Sequence, residues 1–208
     1  MHIALLGDST LDNAPYTEGG PDVVAHLNAL LHGSDRATLL AQDGAVIASV
    51  ELQVRALREL LEDGEEDDPP THVVLSVGGN DLLGEVDVLG APARSVGEGL
   101  LQLRERAERF GSDYRGMLDR VLSLELPTVV CTVYHGAFPD PTEARIVDTA
   151  LRVFDHEILE AGVDRGVPVI DLRRVCSAPE DYWNPIEPSE RGGAKIAAAI
   201  AGALRAPR

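Results

Sequence analysis

The chain has 208 residues, with 18 basic against 35 acidic side chains and a formal charge of −17. That balance excludes the positive face a nucleic-acid backbone demands, and it disfavours an anionic membrane surface. The length and a hydrophobic content of 44% suit one sizeable core, so a single domain over residues 1–208 is expected.

The opening "MHIALLGDST" is too short an apolar run for a secretory segment and lacks a basic start. It reads as a first strand, His2–Leu6. Nowhere does an apolar run approach the ~18 residues of a membrane span, so a cytoplasmic chain is expected. Val23, Val24, Leu27, Leu30 and Leu31 share one helical face, and a second strand follows at Ala37–Ala41. Val50, Val54, Leu57 and Leu61 mark the next helix. The acid-rich run "LEDGEEDDPP" reads as an exposed loop before a strand at His72–Val77. Gly/Pro punctuation makes Asp87–Gly97 a loop, either a lid or an interface. A helical region spans Glu98 to Leu124, with a break expected at Phe110–Asp113. The strand Thr128–Tyr134 contains Cys131, which reads as a buried thiol. A loop at Pro139–Thr142 leads to a helix through Ile146, Ala150, Val153, Phe154 and Ile158. After a strand at Val167–Asp171, Ser189 is placed to cap the last helix. Near-continuous apolar strands alternating with helices predict an α/β fold: a three-layer α/β/α sandwich around a parallel sheet of roughly five strands.

In such sheets ligands gather outside the carboxyl ends of the strands. Three successive strand ends carry unusual residues: Gly7-Asp8-Ser9, Asp43-Gly44 and Gly78-Gly79-Asn80-Asp81. Each alone reads as a turn or a cap. Together they offer a nucleophile, Ser9, and oxyanion donors from the Ser9 N–H, the Gly44 N–H and the Asn80 amide. Asp8 points away from the Ser9 side chain and is expected to fix the turn. Asp81 is expected to cap the helix "DLLGEV". No GxSxG elbow, Walker loop or dinucleotide fingerprint is present. The two cysteines and six histidines show no metal spacing, so no metal and no cofactor is inferred.

"LLGDST", "AQDGAVIASV" and "LSVGGND" resemble the successive blocks of the SGNH hydrolases, also called the GDSL esterase/lipase family. The resemblance spans almost the whole chain and implies the flavodoxin-like SGNH fold. It also implies Ser9 as nucleophile, with Gly44 and Asn80 completing the oxyanion hole. The family's last block is Asp-x-x-His, in which the His is the base and the Asp orients it. Here the similar stretch reads Asn184-Pro185-Ile186-Glu187.

Three readings follow. The chemistry is lost and the fold binds a small polar ligand; or His135, in "VYHGAF", replaces the base; or Glu187 is the base. A carboxylate base has no N–H to donate, and an Asp beside it would be a like charge. An Asn can donate an amide N–H, so Asn184 beside Glu187 is chemically consistent. The acidic limb of the pH–rate profile is then expected below that of a His enzyme. Asp8, Gly79, Trp183 and His135 are candidate substrate contacts. Tyr182 and Trp183 either line a pocket or pack the loop under the last helix, and Tyr134 and Phe138 are candidate pocket walls. Asp171 is expected to cap a helix, and Arg191 and Lys195 to be solvent-exposed. The partner expected is a small ester with an acetyl or short acyl group; the rival is a non-catalytic binder using the Ser9 pocket.

Overall fold

The computed structural model describes residues 1–62 and 68–205. The central part of the acid-rich run, residues 63–67, lies outside them. Five strands form one sheet: β1 (His2–Gly7), β2 (Arg36–Leu39), β3 (His72–Ser76), β4 (Thr128–Cys131) and β5 (Val169–Ile170). All pairings are parallel, in the order β2-β1-β3-β4-β5.

Among the described residues, seven α-helices flank them: α1 (Val23–Leu30), α2 (Val50–Glu62), α3 (Gly79–Leu83), α4 (Val96–Leu122), α5 (Pro141–Asp164), α6 (Leu172–Val175) and α7 (Glu190–Arg205). Strand alternation splits the core in two. Ala4 and Leu6 of β1, with Val73 and Leu75 of β3, face the layer of α2, α4 and α5. Ile3, Leu5 and Val74 face α1 and α7. Every residue of β1 is buried, as a central strand covered on both faces requires.

Several boundaries differ from the sequence expectation. β4 stops at Cys131, so Tyr134 lies in the loop beyond it. α4 is unbroken through Phe110–Asp113. Gly111 there is a contact residue rather than a breaker: a Cβ would stand 2.1 Å from Glu157 Oε2 of α5. Phe110 stacks on Tyr114 and meets Phe154 edge-on, at centroid distances of 5.9 and 5.6 Å. The loop expected at Asp87–Gly97 is partly helical, with a 3-10 turn at Val86–Gly90 and Ser95 capping α4. Arg106 ties that turn down through Glu85 and Asp87. Asp140 caps α5, so the expected loop at Pro139–Thr142 already contains the helix start. Asp171 caps α6, and Ser189 Oγ accepts from the Gly192 N–H of α7 at 3.3 Å.

Candidate active site

The first strand end is held from two sides. Gly7 has φ +134°, and a Cβ there would stand 1.8 Å from the Ser76 carbonyl oxygen of β3. A glycine is required by both the backbone conformation and the close approach. The buried Gln53 of α2 clamps Gly7: its Oε1 accepts from the Gly7 N–H at 2.7 Å, and its Nε2 donates to the Gly7 carbonyl at 2.8 Å. Nothing in the sequence pattern singled out Gln53. Asp8 follows, buried, with Oδ1 accepting from the Thr10 N–H at 3.0 Å. It fixes the turn as expected. Burial pushes its carboxyl up to about 6, against the lowering effect of the Thr10 hydrogen bonds. Ser9 comes next, buried in the floor of a pocket.

The third strand end holds the second. Asn80 Nδ2 donates to the Ala45 carbonyl at 2.9 Å. Asp81 does not cap its own helix; its carboxylate accepts from the Ile47 N–H at 3.0 Å. These two bonds pin the segment just after Gly44. Gly44 is exposed, with φ +76° and open space where a side chain would stand. Its glycine therefore answers a left-handed backbone, not a tight neighbour. Gly79 walls the pocket beside Asp8.

The loop before α7 brings Glu187 to the same place. Tyr182 and Pro188 form an antiparallel bridge, and the Trp183 N–H donates to the Glu187 carbonyl at 2.9 Å. Asn13 reaches from the first loop to the Pro188 carbonyl at 3.3 Å. Tyr134 OH donates to the Ile186 carbonyl at 2.6 Å. Buried Asp181 anchors the base of the loop, accepting from the Ser177 and Ala178 N–H groups and from Lys195 Nζ at 2.6 Å. Arg191 is exposed, as expected, with Nε 3.5 Å from the same carboxylate, whereas Lys195 is drawn partly out of solvent by its pairing with Asp181. Asn184 also differs from expectation. Its Oδ1 accepts from the Ile186 and Glu187 N–H groups, both at 2.8 Å, and no hydrogen bond runs from its amide to the Glu187 carboxylate. It shapes the main chain that presents Glu187.

The Glu187 carboxyl is 7% exposed, and its Oε2 has no hydrogen-bond partner. Burial pushes its pKa up to about 7, the Ser9 hydroxyl pulls it back down, and the charges of Asp43 and Asp8 raise it further. That value lies in the range of an ordinary histidine rather than of an ordinary carboxyl.

The pocket over Ser9 is an open cleft with a cavity volume of about 160 Å³. Beyond Asp8, Ser9, Asn80 and Glu187 its walls are mainly apolar, with Leu82, Val86 and Leu89 on one side and Phe138, Val147 and Phe154 on another. Tyr134 and His135 also line it. His135 Nδ1 lies 2.5 Å from Asp148 Oδ1, in an orientation that makes no regular hydrogen bond. Trp183 is not one of these walls; it is half-exposed and packs on Tyr16 at 5.6 Å. Tyr182 packs the loop, donating to the Cys176 carbonyl at 2.7 Å and meeting Tyr134 edge-on. Cys131 is a buried free thiol, pushed up to about 12 by burial. No helix among the described residues is long and apolar enough to cross a membrane.

No curated protein matches the chain. Among solved structures, a lipase from the goat rumen metagenome aligns at TM-score 0.70 and 18% identity, covering 98% of this chain and 97% of its own. An extracellular lipase from Streptomyces rimosus aligns at 0.67 and 16%, covering 98% and 99%. An esterase from Pseudoalteromonas sp., in a structure inhibited by monoethylphosphonate, aligns at 0.64 and 16%, covering 98% and 96%. These likenesses show the fold: a five-stranded parallel sheet flanked by helices, shared with those structures over nearly the whole chain. The model of the GDSL-like lipase/acylhydrolase family matches residues 5–194, and the chain belongs to that family.

Proposed function

We propose that the protein is a serine esterase in which Glu187 takes the place of the usual histidine base. The observation that carries this reading is the meeting of Ser9 with a buried carboxylate whose second oxygen is unpartnered and whose pKa is raised to about 7. A base poised near neutrality suits proton transfer at that pH.

In the proposed cycle the Ser9 oxygen attacks the ester carbonyl while its proton passes to Glu187. The carbonyl oxygen becomes an oxyanion facing the Ser9 and Gly44 N–H groups and the second N–H of the Asn80 amide, the first being held by Ala45. Collapse breaks the bond to the alcohol oxygen, which takes the proton back from Glu187 and leaves. Water then attacks the acyl-enzyme and gives its proton to Glu187. Release of the carboxylic acid returns that proton to Ser9. Asn184 acts as a positioning residue through the main chain of Ile186 and Glu187. The apolar walls favour an acyl chain longer than acetyl.

Labelling with an ethyl phosphonate ester tests the nucleophile. Wild-type protein should gain one phosphonyl group on Ser9, and Ser9→Ala none. Aryl butyrate hydrolysis should appear and vanish with the same substitution. If neither labelling nor turnover occurs, the family fold serves binding instead. The engagement of Asn184 with the backbone rather than with the carboxylate is the observation that favours that second reading.

A further inference from the structure

Outside the apolar pocket, across the loop that carries Glu187, the surface has a different character. Tyr16 and the half-exposed Trp183 pack at a 45° tilt with centroids 5.6 Å apart. Tyr16 OH donates to Asp43 Oδ2 at 2.8 Å, and the exposed Asp43 N–H is held by Asp12 Oδ2 at 2.9 Å. Glu187 sits across the bridge from Trp183, nine-tenths buried, with Oε2 unpartnered. The charges of Glu187, Asp43 and Asp12 all act on the Tyr16 phenol, which burial first and these acids next raise above its ordinary range. The donors that Asp43 Oδ2 and Asp12 Oδ2 meet are the Tyr16 hydroxyl and the Asp43 N–H, neither of them a cation. Aromatic faces beside uncompensated carboxylates attract a cation and repel an anion.

We propose that Tyr16, Trp183 and Asp43, backed by Glu187, form a subsite for a cationic group, an ammonium or quaternary ammonium carried on the alcohol half of the ester. The subsite rests on Ser9 being the reacting centre: with the acyl chain in the apolar pocket, the leaving alcohol is directed toward Asp43 and Trp183. Gly44, next to Asp43, leaves open space there. The same surface selects against esters whose alcohol half bears a phosphate or carboxylate.

Trp183 is the chain's single tryptophan, so its fluorescence reports on the subsite without catalysis. Titration with tetramethylammonium chloride, at ionic strength held constant with sodium chloride, should give a saturable change that weakens in Asp43→Asn. In parallel, kcat/KM is compared for butyrylcholine and its neutral isostere 3,3-dimethylbutyl butyrate. The cationic ester should be preferred about tenfold, and the ratio should fall toward one in Asp43→Asn and in Trp183→Ala. A ratio near one in the wild type, with tetramethylammonium acting no differently from sodium, overturns the subsite and leaves the esterase reading intact. Saturable tetramethylammonium binding without hydrolysis of any ester overturns the esterase reading and supports the cation site alone.

Discussion

At Glu187 two effects oppose one another. Burial disfavours the ionised carboxylate, while the Ser9 hydroxyl favours it as a hydrogen-bond donor, and the balance stands at about 7. A base works only when deprotonated. Activity through Glu187 is therefore lost as pH falls through that value and complete above it. We predict that kcat/KM for an aryl butyrate rises about tenfold per pH unit below a midpoint near 7 and levels off above it. Glu187→Gln keeps the shape of the side chain and removes the base, so activity should fall by about 10²–10⁴ and the limb should disappear. His135→Ala should leave the midpoint in place, because His135 faces Asp148 rather than setting the charge on Glu187. A profile that follows His135 and ignores Glu187 would falsify the carboxylate assignment.

The elements matter by what they hold still. Ser9 sits on a turn fixed by the end of β1, by Ser76 of β3 and by the Gln53 amide of α2. Gly7→Ala forces a Cβ into the Ser76 carbonyl in a left-handed backbone. The expected cost is about 2–4 kcal/mol, read as a lower urea midpoint, with activity falling as the turn shifts. Gly44→Ala meets open space and carries only the cost of its positive φ, about 1–2 kcal/mol, so the smaller midpoint shift separates strain from collision. The contrast shows which parts were legible in sequence. β1 and β3 were readable because buried parallel strands are continuous apolar runs, and the Ser9, Gly44 and Asn80 turns because each follows such a run. Gln53 and Asp181 were not, because one polar residue among helical or loop neighbours reads as surface until the fold buries it. The stretch Phe110–Asp113 read as a break, and it contains Gly111, because a glycine that admits a neighbouring helix cannot be told in sequence from one that ends its own. Asn184 and Glu187 were readable as a pair, but their relation was not. Whether the amide faces the carboxylate or the main chain depends on how the loop folds between Tyr182 and Pro188.

At the scale of the molecule, buried carboxyls couple stability to pH. Burial raises Asp8 to about 6, Asp155 to about 7 and Glu187 to about 7, each from a value near 4 in the unfolded chain. Between pH 4 and 7 the folded state therefore holds more protons than the unfolded state, and stability falls as pH rises through that window. Arginine hydrogen bonds act in the other direction at Asp119 and Asp171, whose lowered pKa values give stability that is lost only in stronger acid. The net expectation is a melting temperature that rises as pH is lowered from about 8 to about 5 and turns down below about 4. A charge of −17 gives a similar trend through general repulsion, so the bulk curve alone does not assign the cause. Asp155→Asn separates the two. Asp155 is fully buried on α5, with Oδ1 accepting from the Val133 N–H at 3.0 Å and Oδ2 3.4 Å from Arg173 Nη1 without a regular hydrogen bond. Asparagine can keep the bond to Val133 and has no proton to bind. If buried acids set the slope, Asp155→Asn flattens the rise between pH 8 and 5 while a surface acid such as Glu160→Gln leaves it unchanged. Equal slopes in both variants would assign the trend to net charge instead.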